Sequence, residues 1–311
     1  MLAETWLARA GRCPLTIRLA SQGVYRNPMR LLMKEFLHHC EWWYDIHISV
    51  PLPVLESLMP AKNRLPRLQR LSLDVQLYEF LGIFECAPRL WSQYFDTGTR
   101  EIDHTLELLR VTPNLKECVI KLISSEPRQS HSSVQLLHLR SMTISGNPTY
   151  FFDTLLLPKL QEISIDFCRT RWTATSQFTS LLSRCSLAKL SLDLSNPLSD
   201  NDMIQILQAC LSLVQLDLHR QRMSTSFLSQ FAYRHAPENS TTQQLVPMLR
   251  TMNIDYRGTE FNVPDFADAI QSRIMSNSEG LASDEITGLQ TVKIHYKRTF
   301  HTRLSHVVAV A

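Results

Sequence analysis

A short apolar unit recurs along most of this chain. It consists of an apolar residue, a second three positions later and a third two beyond that, often with Pro before it and Asp after it. It appears as Leu68/Leu71/Leu73, then as Leu90 and Phe95 with Gln93 in the middle place, then as Leu115/Cys118/Ile120 and Leu139/Met142/Ile144. Leu160/Ile163/Ile165, Leu187/Leu190/Leu192, Leu213/Leu216/Leu218, Leu249/Met252/Ile254 and Leu289/Val292/Ile294 complete the set of nine. Successive first anchors lie 22, 25, 24, 21, 27, 26, 36 and 40 residues apart. A unit this short cannot bury its own apolar face, so a chain built from such units must stack them side by side.

The two long intervals contain HAPENSTTQQ and NSEGLASDE, polar stretches that read as loop insertions. Each anchor segment alternates apolar and polar residues, the pattern of a strand with one buried face. Between anchors lie stretches of helical period: DHTLELLRV, SQFTSLLSRC, NDMIQILQAC and PDFADAIQSRIM. Asp200 and Asp265 fall where a helix N-terminus wants a capping side chain, and Pro264 suits a first turn.

Most of the intervals match the roughly 20–29 residue period of leucine-rich repeats. The expected fold is therefore an α/β leucine-rich-repeat solenoid. It would be a curved right-handed array with parallel strands on the concave face and helices on the convex face. A single domain over 1–311 is expected: irregular repeats or a cap over 1–60, about nine repeats over 61–298 and a tail over 299–311. CPLTIRLA and YDIHISV also alternate and are candidates for two further strands. The position eight after each first anchor, where such repeats place a buried Asn, holds Gln76, Gly98, Ile123, Asn147, Cys168, Ser195, Gln221, Arg257 and Lys297. Asn147 and Cys168 suit that role and the rest do not, so the ladder of buried side-chain hydrogen bonds is expected to be mostly absent.

Composition narrows the function classes. Apolar residues make up 44% of the 311 positions, enough for a continuous core. A formal charge of +3 does not by itself call for a nucleic-acid or membrane partner, and neither is expected. Only eight glycines are present, which argues against phosphate-cradling loops. The seven scattered cysteines include no CxxC pair and read as reduced thiols, so a cytoplasmic or nuclear location is expected. Arg9, Arg12 and Arg18 break any signal-like apolar run, and Asn239-Ser240-Thr241 is then an idle glycosylation match.

ETWLARAGRCPLTIRL (4–19), EWWYDIHISVPLP (41–53), LPRLQRLSL, FECAPRLWSQYF (84–95), TPNLKECVI (112–120) and LPKLQEISI (157–165) together carry a likeness. The chain resembles the leucine-rich-repeat F-box proteins of mushroom-forming fungi over essentially its whole length. The resemblance implies the substrate-binding part of a cullin-based ubiquitin ligase receptor. The helical F-box that docks the Skp-type adaptor is missing, and it would have to lie upstream of Met1. The other roles open to such a chain are a free-standing scaffold or inhibitor, and activation of a small GTPase.

No GxxxxGK[ST], HExxH, GxSxG or paired CxxC motif occurs, so neither catalysis nor a cofactor is expected. His38-His39-Cys40 is the nearest approach to a metal cluster, but neighbours on a helix point different ways. KIHYKRTFHTR (293–303) is basic, and a solvated last strand and tail explains it. Trp42, Trp43, Tyr44, Trp91, Trp172 and Tyr256 are either binding hot spots or core residues.

The repeat register singles out one column, the sixth position after each first anchor. Asp74, Asp96, Asp166, Asp193 and Asp255 occupy it in five repeats, with His219 and His295 in two others. Parallel strands about 4.8 Å apart would align these side chains into an acidic stripe along the concave face. Such a stripe suits a basic protein partner. The competing reading is that each Asp merely opens the turn after its strand.

Overall fold

The computed structural model describes residues 2–20, 26–50, 56–61, 64–75, 105–121, 133–146, 148, 151–168, 172–232, 244–256, 263–275, 288–297 and 303–308. The chain divides into two compact units, Met1–Lys159 and Leu160–Ala311. Each is an α/β structure built on parallel strands, which need a crossover between neighbours, and helical segments supply several of these.

In the first unit β1 (Leu15–Ala20), β2 (Trp43–Val50), β3 (Arg70–Val75), β4 (Glu117–Lys121) and β6 (Ser141–Ser145) run parallel in that order. β5 (Val134–Gln135) pairs separately with β7 (Leu155–Leu156). Helices α1 (Leu2–Ala10) and α2 (Arg26–His38), a helical stretch at 105–110 and the short α3 (Phe151–Thr154) lie between strands or ahead of them. CPLTIRLA and YDIHISV are thus strands of the same sheet as the repeats. The second anchor unit, at 87–97, lies outside the described residues. β3 and β4 pair directly, Leu71 with Cys118 and Leu73 with Ile120.

In the second unit β8 (Glu162–Cys168), β9 (Lys189–Leu194), β10 (Gln215–His219), β11 (Thr251–Tyr256) and β12 (Thr291–Lys297) run parallel. The expected tail instead supplies β13 (Arg303–Val308), which pairs antiparallel with β12. Helices α4 (Thr175–Leu182), α5 (Asp200–Gln208), α6 (Thr225–Phe231) and α7 (Val263–Met275) fall between the parallel strands.

The anchors explain the register. Ile163, Leu190, Leu216, Met252 and Val292 are mutual partners across five strands, as are Ile165, Leu192, Leu218, Ile254 and Ile294. A one-residue slip would turn every one of them to the polar side, so burial alone selects this pairing. The first anchors Leu160, Leu187, Leu213, Leu249 and Leu289 are buried at the entry to each strand. One carbonyl there takes two amides from the next repeat. Gln161 binds Ala188 and Lys189, Ala188 binds Val214 and Gln215, Val214 binds Arg250 and Thr251, and Arg250 binds Gln290 and Thr291. Gln69 and Lys116 do the same in the first unit.

Helix ends differ from expectation in detail. The N-cap of α5 is Ser199, whose hydroxyl accepts from the Asp202 amide at 3.2 Å, and Asp200 lies one residue inside. Asp265 likewise lies within the first turn of α7. Both acids reach sideways instead. Asp200 accepts from the Ser224 hydroxyl, and Asp265 accepts from Thr225 at 2.7 Å. Thr175 donates to Asp202 at 2.6 Å and accepts from the Trp172 indole at 3.0 Å. The N-terminal turns of four successive helices are therefore joined by side-chain hydrogen bonds.

Two buried polar groups were not foreseen. Gln221 accepts from the Leu198 amide at 2.9 Å and donates to the His219 carbonyl at 3.2 Å. It thereby bridges the turns that follow β9 and β10. Arg273, on the buried side of α7, donates to the carbonyls of Phe231 (2.6 Å), Val246 (3.3 Å) and Leu245 and lies 4.1 Å from the Phe231 ring centre. Desolvation there pulls its guanidinium pKa down to about 10. No helix among the described residues is long and apolar enough to cross a membrane.

Candidate recognition face

Alternate residues of each strand project away from the buried anchors, so every repeat contributes three side chains to the opposite face. In the second unit the sixth-position column reads Asp166, Asp193, His219, Asp255 and His295 in consecutive register across β8 to β12. The structure thus brings five of the seven predicted positions together in one line. A parallel column two residues earlier reads Ser164, Ser191, Asp217, Asn253 and Lys293.

The carboxylates are not equivalent. Asp193 receives the Arg220 side chain, with Nε at 2.6 Å and Nη2 on the same oxygen. Asp166 accepts from the Ser164 hydroxyl at 2.9 Å. Asp255 lies 3.9 Å from His219 Nδ1, an ion pair whenever that imidazole is protonated. Asp217 is 9% exposed and is held by neutral amides, Gln215 Nε2 at 3.1 and 3.0 Å and Asn253 Nδ2 at 2.5 Å. The other end of that amide, Asn253 Oδ1, is buried and has no hydrogen-bond partner among the described residues. His295 and Lys293 are exposed at the β12 side.

The first unit presents a different face. Its column reads Ala20, Ser49, Asp74, Lys121 and Ser145. Asp74 pairs with Lys121 at 2.9 Å and accepts from Ser49 at 3.1 Å, so its charge is met from within. Arg70 does the same for Glu117 (3.1 Å) and Asp45 (3.9 Å). Asp96 lies outside the described residues, and the rung after Asp74 is a lysine. Among the described residues the continuous acidic column is a feature of the second unit. His47 Nδ1 sits 2.8 Å from Ser72 Oγ on neighbouring strands, and Val119 is 42% exposed on β4. Neither stood out in the sequence.

The remaining candidates resolve simply. Trp43 and Trp172 are core residues, and Trp42 stacks under Arg67 at 4.1 Å. Trp91 and the side chain of Tyr256 lie outside the described residues, while Tyr44 is half-buried. Trp6, 50% exposed, is the aromatic that sequence reasoning passed over. His38 is exposed beside Glu35 at 3.8 Å, whereas Cys40 is buried, so the His-His-Cys run does not converge. Among the described residues no group of three or more His, Cys, Asp or Glu is placed to hold a metal ion. Burial raises the thiol pKa of Cys185 to about 11 and of Cys210 to about 12, and raises that of Cys118 further. These thiols behave as small core groups.

The fold and this face define an α/β protein of parallel strand ladders with an ordered polar surface. Neither any protein-family profile nor any curated protein of known function matches the chain.

Proposed function

We propose that the chain is a leucine-rich-repeat solenoid working as a protein-recognition module, with the strand face of its second unit as the binding surface. The in-register anchors and the repeated two-amide carbonyl support the repeat reading. The observation that carries the functional reading is the line Asp166, Asp193, His219, Asp255, His295. The partner is a protein segment rich in Arg or Lys. Ammonium and guanidinium groups match a carboxylate column, and such matching steers encounter and sets register. Asn253 Oδ1 is a buried acceptor still in need of a donor, which a guanidinium fork supplies.

The face is a surface for binding rather than a reaction centre, since its acids are held by hydrogen bonds to neighbouring side chains. The resemblance to fungal F-box leucine-rich-repeat proteins supplies the setting, which is selection of a target for ubiquitination. An F-box on the same polypeptide would then link it to the Skp-type adaptor and cullin.

A photo-crosslinking amino acid tests this reading. Placed at Ser191 on the strand face it captures the partner, and placed at Ser183, just after α4, it does not. Equal capture from both positions overturns the assignment of the face.

A further inference from the structure

Val246, in the turn that leads into β11, is buried and has its backbone at φ 42. A β-branched residue is among the least suited to this left-handed region. Pro247 follows it, and a proline presses the residue before it toward extended backbone. Local sequence therefore opposes this conformation, and the surrounding structure has to impose it. Arg273 stands where that is done. It lies near the end of α7 and is 3% exposed. Its guanidinium donates to the Leu245 carbonyl and, at 3.3 Å, to the Val246 carbonyl. Those two carbonyls flank the φ and ψ bonds of Val246, so holding both fixes its shape. The same guanidinium donates to the Phe231 carbonyl at 2.6 Å, at the end of α6. A cation this deeply buried needs its acceptors in place, so α7 docks only onto the strained form of the turn.

We propose that Arg273 is a latch: α7 holds the turn into β11 in its left-handed form, and the turn relaxes when α7 lifts away. The Val246 carbonyl also accepts from the Leu249 amide at 3.2 Å, and the next two amides, Arg250 and Thr251, donate to Val214 at 2.9 and 3.0 Å. These bonds begin the pairing of β11 with β10. The end of α7 and the entry to β11 consequently open as one unit. β11 places Asn253 and Asp255 between β10 and β12, so the latch governs the middle of that strand face.

The test is amide hydrogen exchange in the full chain at Leu249, Arg250 and Thr251, comparing Val246→Gly with Val246→Ala. Both substitutions remove most of the same buried side chain, so the difference between them reports on the backbone. On ordinary backbone alanine is the better protected, because glycine loses more freedom on folding. At a left-handed position the order reverses, and Val246→Gly is expected to exchange roughly 3–10-fold more slowly than Val246→Ala. In an Arg273→Gln background that advantage is expected to vanish, with the amides of α7 losing protection together with those at 249–251. Arg273→Lys replaces Arg273→Gln if the latter does not fold, since one ammonium cannot span three acceptors. Protection by alanine equal to or above that by glycine, with Arg273 present, overturns the proposal. An undiminished glycine advantage without Arg273 overturns it as well, because the turn would then hold its shape unaided.

Discussion

The Gln221 carboxamide accepts a hydrogen bond from the backbone amide of Leu198, 23 residues earlier, at 2.9 Å. The interaction is buried and ties the turn after β9 to the turn after β10. Removing it leaves the Leu198 N–H without a partner in an apolar setting. Gln221→Leu should therefore lower stability by about 1–3 kcal/mol, read as a fall in the midpoint of chemical denaturation. Gln221→Asn should recover part of the loss, since the shorter amide keeps the chemistry but not the reach.

Arg273 gathers the end of α6 and the approach to β11 through three carbonyls. Arg273→Met relieves the cost of burying a charge but strands the Phe231 and Leu245 carbonyls. A net loss of about 2 kcal/mol is expected. Arg273→Lys should lose nearly as much, because a single ammonium cannot span the three acceptors. Thermal unfolding of the three proteins side by side checks this.

Alkaline pH should destabilise the fold through its buried thiols. The folded pKa of Cys210 is raised to about 12 from an ordinary 9.0. Its contribution is complete below pH 9 and is lost as pH climbs toward 12, because the unfolded chain ionises first. At pH 10 the loss is on the order of 1 kcal/mol for such a thiol. Cys210→Ala should remove that part of the slope of stability between pH 8 and 10, and an unchanged slope would contradict the assignment.

Much of the strand architecture was legible because the anchors are buried, and burial writes itself into the chain as leucine and isoleucine at fixed spacing. Leu160, Ile163 and Ile165 declare β8 without any knowledge of its neighbours. The Asp column was legible for the same reason, since the sixth position inherits its direction from the strand pleat. What escaped depends on contacts between repeats. Arg220 finds Asp193 only through a left-handed residue, and nothing in the string HRQR announces one. Gln221 was passed over because the expected residue was asparagine. Ser199 was missed in favour of Asp200, its neighbour, since either side chain can cap a helix and only backbone geometry chooses. The lysine beside Asp74 was hidden because β3 pairs directly with β4, two units that the sequence spacing does not place side by side.

The most direct test of the account is affinity capture with wild type and with Asp166→Lys/Asp193→Lys, both first shown by circular dichroism to fold alike, with the captured proteins quantified by mass spectrometry. The account predicts that a set of Arg- and Lys-rich proteins held by wild type falls by about tenfold or more with the double reversal, in line with the cost of opposing like charges across an interface. The same set retained at the same level would show that the acidic column of the second unit is not the recognition surface.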